Sequence, residues 1–342
     1  MILNIILIFI FLALYQFIKI ENVTLKSIIY FSISIVLFII CAFRNSGVDR
    51  DYEVYVSAFN GDNISTTIFE PSFIFITAII KNYLNSNVKF LFVFYAILGL
   101  LLKAYAIKRI SKFEILSLLL YVSYYFSLHE ITQIRVGVAC TFFLLSIPSL
   151  YNKSAIKYFS IITIATLFHF SAIILYPLWL LNSNKIEKNK WVLLLATSIL
   201  FGLLLKGIFA KIFNNYSLGF FEQKILSYNV DNNAEYNVFN VWIFIKIFFI
   251  LMIVNKIEHI HKFYPYIYLL VKIYFISIVF YYLFAFNPTF SSRITDILAI
   301  TEILIFPTLI YIVRPSYVAR FLIIIFGCTL LFLNLFYNKI IM

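Results

Sequence analysis

Runs of apolar residues fill this chain almost from end to end, and polar residues occur mainly in the short stretches between them. A helix needs about 20 apolar residues to cross the hydrocarbon core of a bilayer, with a range of about 17–25. The runs that approach or reach this length are 1–18, 25–42, 88–106, 113–128, 131–150, 191–210, 238–254, 264–286, 293–313 and 318–337. The pattern therefore predicts an all-α fold, a polytopic bundle of transmembrane helices.

Two further apolar segments do not fit a simple span. Segment 71–84 is interrupted by Lys81 before it is long enough to cross a membrane, so we predict an interfacial helix on the outer side. Segment 158–181 has basic residues on both sides, and one continuous helix cannot begin and end on the same side of a membrane. We therefore predict two short helices with a break at His169. With this pair counted, the chain has about 11–12 spans.

The distribution of charge sets the expected orientation, because Lys and Arg collect in cytoplasmic loops of membrane proteins. The basic clusters expected in the cytoplasm are Lys19/Lys26, Lys108/Arg109/Lys112, Lys153/Lys157, Lys185/Lys188/Lys190, Lys256/Lys262 and Arg314/Arg320. Segment 43–87, which contains the interfacial helix, and segment 211–237 are expected outside. We predict one integral membrane domain over 1–342, with both termini outside.

Composition excludes a soluble domain. Of the 342 residues, 63% are hydrophobic and 12% charged, with a mean hydropathy of +0.98, whereas soluble domains carry about 25% charged residues. The net charge of +12 is spread over loop clusters and forms no face for nucleic acid. Cys41, Cys140 and Cys328 lie in apolar runs without metal-ligand spacing. The absence of a visible internal repeat disfavours an inverted-repeat transporter.

Ionisable residues are costly at membrane depth and are therefore candidates for function. The first two groups are Arg44, Asp49, Asp51 and Tyr52 in FRNSGVDRDY, and His129, Glu130, Gln133 and Arg135 in SLHEITQIR. On one α-helix, His129 and Gln133 would share a face. The alternatives are a solvated loop for the first group and, for Arg135, a side chain that extends to the membrane interface.

Two further groups lie later in the chain. They are His169 with Ser171 in LFHFSAI, and Arg293 with Asp296 in NPTFSSRITD. The alternatives are a core histidine and a structural ion pair between residues three apart. Arginine binds phosphate oxygens in a bidentate fork and does not lose its charge. Two or three arginines with carboxylates and a histidine thus suggest a membrane-embedded lipid diphosphate, approached from outside.

The order of these motifs resembles a known family. The motifs are the loop Arg44…Gly47…Asp49…Tyr52, the helix start Gln133-Ile134-Arg135-Val136-Gly137-Val138-Ala139, the segment Phe168-His169-Phe170-Ser171-Ala172, and a late S-x-R-I around Arg293. From about Arg44 to Pro307 the chain resembles the EpsG-like branch of the Wzy polysaccharide polymerases. Val136 is a mild departure, because the family usually has glutamine after the arginine.

The resemblance implies polymerisation of undecaprenyl-diphosphate-linked oligosaccharide repeat units into O-antigen, capsular or exopolysaccharide, at the outer face of the bacterial cytoplasmic membrane. An acceptor sugar hydroxyl would attack the anomeric carbon of the donor, and undecaprenyl diphosphate would leave. We expect no cofactor and no metal. Besides the lipid-linked oligosaccharide and the bilayer, a chain-length regulator is a possible protein partner.

On this basis the site residues divide into two sets. Catalytic roles are predicted for Arg135, Arg293, His169, Asp49 and Glu130. Substrate contacts are predicted for Arg44, Asp51, Tyr52, Gln133, His129, Ser171 and Asp296. The alternatives for the function are a lipid-linked oligosaccharide flippase or transporter, or another multi-span glycosyltransferase, ligase or acyltransferase.

Overall fold

The computed structural model describes residues 1–61, 69–84, 87–215, 240–285 and 287–341, and within helices the side chains of 205–215 and 288–290 are not described. The described chain is helical, and its one isolated β-bridge joins Asp49 to Ile341. Apolar helices long enough to span are Val23–Ala42, Lys89–Ile110, Ile134–Tyr151, Ser291–Tyr311 and Ser316–Tyr337. Shorter apolar helices are Ile2–Tyr15, Ala155–Phe168, Phe170–Leu180, Val241–Asn255 and Ile267–Leu283. The all-α polytopic fold is confirmed; the number of spans stays a prediction.

The chain forms two compact units. The first unit comprises residues 1–175 and 306–342, and the second comprises 176–305. Helices of the first unit are α1 Ile2–Tyr15, α2 Val23–Ala42, α3 Tyr52–Asn60, α4 Pro71–Tyr83, α5 Lys89–Ile110, α6 114–132, α7 Ile134–Tyr151 and α8 Ala155–Phe168. Helices of the second unit are α9 Lys188–Asn215, α10 Val241–Asn255, α11 Ile257–His261, α12 Ile267–Leu283, α13 Pro288–Ala299 and α14 Glu302–Ile305. The last helix, α15 Ser316–Phe332, belongs to the first unit and continues as a π-helix over Leu333–Tyr337.

The predicted outer segments are partly described. The helix expected near 71–84 is α4, which packs on α5 and α8. Helix α3 precedes it and was not predicted. Of segment 211–237, residues 211–215 are the end of α9, a correction to the expected loop, and 216–237 lie outside the described residues. The single domain and the sidedness of both segments stay predictions.

Two breaks between helices position the charged residues. Helix α8 ends at Phe168, His169 is extended (φ −152°, ψ 122°), and a 3-10 helix then covers Phe170–Leu180, so the predicted break at His169 is confirmed. The other break differs from the prediction. Helix α6 continues as a π-helix through Thr132, and Gln133 alone separates it from α7. The expectation that His129 and Gln133 share one helix face is therefore wrong.

The first unit has two distinct ends. Helix α2 runs from Lys26 towards Arg44, and its 20 residues rise about 30 Å. Helix α5 runs the opposite way: its end carries Lys108, which donates to Ser27 Oγ at 2.8 Å, and its beginning carries Phe92, which lies 4.2 Å from the Arg44 guanidinium. We call these the basic end and the site end. Helix α6 runs in the same direction as α2: it starts after Lys112 at the basic end and stops before Gln133 at the site end.

An apolar core fills the site end. It is made by residues of α3, α4, α5 and α7 together with two phenylalanines from the segments before α4 and at the end of α8. The aromatic members are Tyr55, Phe59, Phe69, Phe73, Phe92, Tyr95 and Phe168. The Arg135 guanidinium described next lies over two of these rings, those of Phe69 and Tyr55.

Candidate functional site

A carboxylate, a guanidinium and an imidazole meet at the site end. One oxygen of Glu70 accepts a hydrogen bond from Arg135 Nη1, and the other lies 3.2 Å from His169 Nδ1. The backbone N–H of Phe170 also donates to this second oxygen, at 3.5 Å. Three segments that are distant in sequence thus bring these side chains together. Two of these residues, Arg135 and His169, were predicted from the sequence; Glu70 was not.

Local backbone chemistry explains why these three residues lie together. Proline disfavours the helical conformation in the residue before it and suits the first position of a helix. Glu70 is accordingly extended (φ −70°, ψ 155°) and precedes Pro71, the first residue of α4. Its side chain makes no capping bond and instead points to Arg135. Arg135 follows the break at Gln133, and His169 is itself the break after α8.

The three side chains differ in access. Side-chain exposure is 15% for Arg135, 3% for Glu70 and 1% for His169. The Arg135 guanidinium lies 4.6 Å above the Phe69 ring and 5.9 Å from that of Tyr55. Cation–π contact and the Glu70 pair hold the guanidinium in place. Arg135 is therefore the most exposed member of the group.

The loop group forms a second, buried arrangement. Arg44 Nε lies 3.1 Å from Asp49 Oδ2, and Arg44 Nη1 donates to the Cys41 carbonyl oxygen at 2.9 Å. Asp49 also accepts a hydrogen bond from the Asp51 N–H at 3.0 Å, while Tyr52 stacks on a phenylalanine of α5 at 4.8 Å. Burial raises the pKa of the Asp49 carboxyl, and Arg44 opposes that shift. This pair is not solvated; it closes the loop after α2.

Glu130 belongs to a third arrangement. Its carboxylate pairs with Lys103 of α5, and the two side chains are 2% and 0% exposed. The Lys103 ammonium also lies 5.4 Å from the Tyr121 ring. Two glycines make room for this pair: a Cβ at Gly99 would overlap the Glu130 carboxylate, and a Cβ at Gly137 would lie 2.5 Å from the carbonyl oxygen of His129. The pair joins α5 to α6 inside the bundle.

The remaining predicted residues of the first unit are His129, Gln133 and Ser171, and His129 lies within electrostatic range of both Lys103 and His169. His129 is fully buried, with its ring 5.2 Å from that of Tyr125. Gln133 and Ser171 are half-buried, next to Arg135 and His169 respectively along the chain. Within the described part of the chain, no hydrogen bond joins them to Glu70, Arg135 or His169. Gln133 is itself the break before α7, and Ser171 lies two residues after the break at His169.

Arg293 and Asp296 lie in the second unit, on α13. The charged neighbours of Asp296 are Lys246, Glu302 and Arg293. Lys246 Nζ lies 2.9 Å and 3.1 Å from the two Glu302 oxygens. Arg293 and Asp296 thus belong to a polar group of the second unit that includes the Lys246–Glu302 pair.

Three ionisable residues that were not predicted could have been identified from the sequence. Lys103, Lys246 and Glu302 all lie inside predicted spans, where ionisable residues are rare. Among the described residues, no group of three or more His, Cys, Asp or Glu side chains could hold a metal ion.

Comparison with known proteins identifies the family. The family model described as the EpsG family matches residues 27–341. No curated protein and no solved structure matches the chain. The match includes all the motifs on which the resemblance rested and supports, in general terms, a polysaccharide-polymerase-like role in the membrane. The chain belongs to the EpsG family.

Proposed function

We propose that this multi-pass membrane protein polymerises oligosaccharide repeat units carried on undecaprenyl diphosphate, at the outer face of the bacterial cytoplasmic membrane. The observation that carries the proposal is the group of Glu70, Arg135 and His169 at the site end of the first unit. A glycosyl transfer of this kind needs a base for the acceptor hydroxyl and a cation for the leaving diphosphate. This group supplies both.

His169 serves as the base in this proposal. Glu70 lies 3.2 Å from His169 Nδ1 and can hold the proton on that nitrogen, which leaves Nε2 to take the proton of the acceptor hydroxyl. The carboxylate then stabilises the imidazolium that forms, as in other carboxylate–histidine pairs. A positioned general base contributes about 10²- to 10⁴-fold to a rate.

Arg135 serves the leaving group. It is the most exposed of the three side chains, and it is the second residue of α7, an 18-residue helix. The N-terminus of a helix carries partial positive charge and unpaired N–H groups that favour phosphate. The guanidinium and the helix end therefore both favour a diphosphate at this position. Arg293, in the second unit, remains a predicted diphosphate ligand.

The reaction balances without a further reagent. The acceptor oxygen forms a bond to the donor's anomeric carbon, and the bond from that carbon to the diphosphate oxygen breaks. The hydroxyl proton goes to His169, and undecaprenyl diphosphate leaves with the bonding electron pair. Arg135 stabilises the negative charge that develops on the leaving oxygen. Each cycle adds one glycosidic bond.

The test is surface-glycan analysis on gels in a deletion strain that carries variants at matched protein level. Arg135→Lys removes the planar fork but keeps the charge, so polymerisation should fall roughly 30- to 1,000-fold, the equivalent of about 2–4 kcal/mol. His169→Gln should also leave single repeat units. Arg50→Lys, at an exposed arginine of the loop after α2, is the matched control and should give normal chains.

The outcome also separates the alternatives. Loss of a polymerase leaves one repeat unit attached to the surface, whereas loss of a flippase or ligase leaves none. Normal long chains from both Arg135→Lys and His169→Gln would contradict the proposed roles. Complete absence of surface glycan in the deletion strain would favour the transporter or ligase.

A further inference from the structure

A cavity of about 260 Å³ opens at the basic end of the first unit. It lies between the end of α1, the beginnings of α2 and α6, and α15. This volume is close to the lower limit of about 300 Å³ for typical small-molecule sites. Because α2 and α6 connect the basic end to the site end, the cavity is separate from the Glu70 group by the length of those helices.

The walls of the cavity are strongly basic. Four cations, Lys19, Lys26, Lys112 and Arg320, line it together with a single carboxylate, Glu114. Lys19 pairs with an exposed glutamate at 3.0 Å, and Arg320 donates to a backbone carbonyl oxygen of the wall. Within the described part of the chain, the ammonium groups of Lys26 and Lys112 have no ion-pair partner. Two lysines beside an arginine suit a phosphate group.

The rim of the cavity is apolar and exposed. Phe17 and Ile18 line the cavity and are 54% and 58% exposed. Exposed apolar side chains on a membrane protein face lipid tails. The cavity therefore joins a cationic interior to a surface that contacts the hydrocarbon of the bilayer.

We propose that this cavity binds the phosphate of an anionic phospholipid headgroup, with the acyl chains lying on Phe17 and Ile18. The leaflet is the cytoplasmic one, because the basic clusters of the first unit collect at this end. The same cations would also bind a soluble phosphate, which is the alternative ligand. The site does not depend on the proposed glycosyl transfer.

The experiment measures binding to the purified full-length chain in a neutral detergent. Dihexanoyl phosphatidylglycerol, dihexanoyl phosphatidylcholine and inorganic phosphate are titrated separately, and the dissociation constant is read from microscale thermophoresis. Lys26→Gln/Lys112→Gln removes two wall cations. Arg109→Gln/Lys157→Gln is the matched control, because it removes two exposed cations at the same end outside the cavity wall. Lys26→Arg/Lys112→Arg keeps both charges and tests whether positive charge at these positions is sufficient for binding.

Phosphatidylglycerol should bind saturably and phosphatidylcholine should not. Near an anionic headgroup each lysine contributes roughly fivefold to affinity, so the Lys26→Gln/Lys112→Gln pair should bind about 30-fold more weakly. The control and the arginine pair should bind like the wild type. Saturation by inorganic phosphate with the same dependence on Lys26 and Lys112 would support the site and identify a soluble ligand. Equal weakening in the control pair, or no saturable binding of either probe, would overturn the proposal.

Discussion

The Lys103–Glu130 pair gives the sharpest prediction about stability. Removal of one partner leaves the other as an uncompensated buried charge, which costs about 3–5 kcal/mol. Because the two side chains are 0% and 2% exposed, solvent cannot screen the remaining charge. Lys103→Met and Glu130→Gln should each lower the free energy of unfolding by that amount.

The double variant should be much milder than either single variant. Lys103→Met/Glu130→Gln leaves no charge and changes little volume, so it should cost less than about 2 kcal/mol. Independent single effects would add to about 6–10 kcal/mol. The coupling free energy should therefore be at least about 4 kcal/mol. This excess would measure how strongly the two buried charges depend on each other.

The assay is reversible unfolding by SDS titration in mixed micelles, with surface-glycan analysis of the same variants. Lys157→Met, at an exposed position, is the control and should change the free energy by about 0.5 kcal/mol or less. The structure pairs Glu130 with Lys103 and not with a residue of the Glu70 group, so the double variant should still give long glycan chains. Additive destabilisation by the two substitutions would show that the charges are not coupled. A stable double variant without polymerisation would instead support the catalytic role of Glu130 that was predicted from the sequence.

Three further effects follow from single contacts. Gly137→Ala should lower the free energy of unfolding by about 1–3 kcal/mol through overpacking, because the added methyl lies 2.5 Å from a backbone carbonyl oxygen. Thermal unfolding in detergent measures this loss. Arg44→Lys should cost about 1–3 kcal/mol, since lysine cannot hold both Asp49 and the Cys41 carbonyl oxygen, and Arg50→Lys serves as control in the same assay. Tyr274→Phe should cost about 1.5–3 kcal/mol by removing the 2.9 Å hydrogen bond to a Glu302 oxygen, as SDS titration would show.

Much of the architecture follows from the sequence, because lipid imposes strong rules on it. Apolar runs predict the spans, and basic residues on both sides of 158–181 predict the break at His169, which the structure has. The spans 113–128 and 131–150 predicted a break between α6 and α7, but placed it before residue 131 rather than at Gln133. The π-helical end of α6 shifts the register of side chains around the axis, and a simple 3.6-residue period does not reveal such a shift.

The site was only partly predictable. Arg135 and His169 could be identified because they interrupt apolar stretches. Glu70 could not, because it precedes a proline in a segment rich in charges, and only the folded chain shows that it turns inwards between the other two. Lys103 could have been identified, since a lysine inside a predicted span needs a partner. Which carboxylate pairs with Lys103 depends on the packing of α5 against α6.

Purified protein in detergent is the simplest system in which to show that this chain forms glycosidic bonds. In detergent there are no two membrane sides, so transport across a membrane cannot contribute. The wild-type chain, given only a single lipid-linked repeat unit, should produce longer oligosaccharides and release one free undecaprenyl diphosphate for each bond formed, while His169→Gln should slow both about 10²-fold or more. Failure of the folded wild-type protein to lengthen the substrate, or equal rates in the His169 variant, would contradict the account.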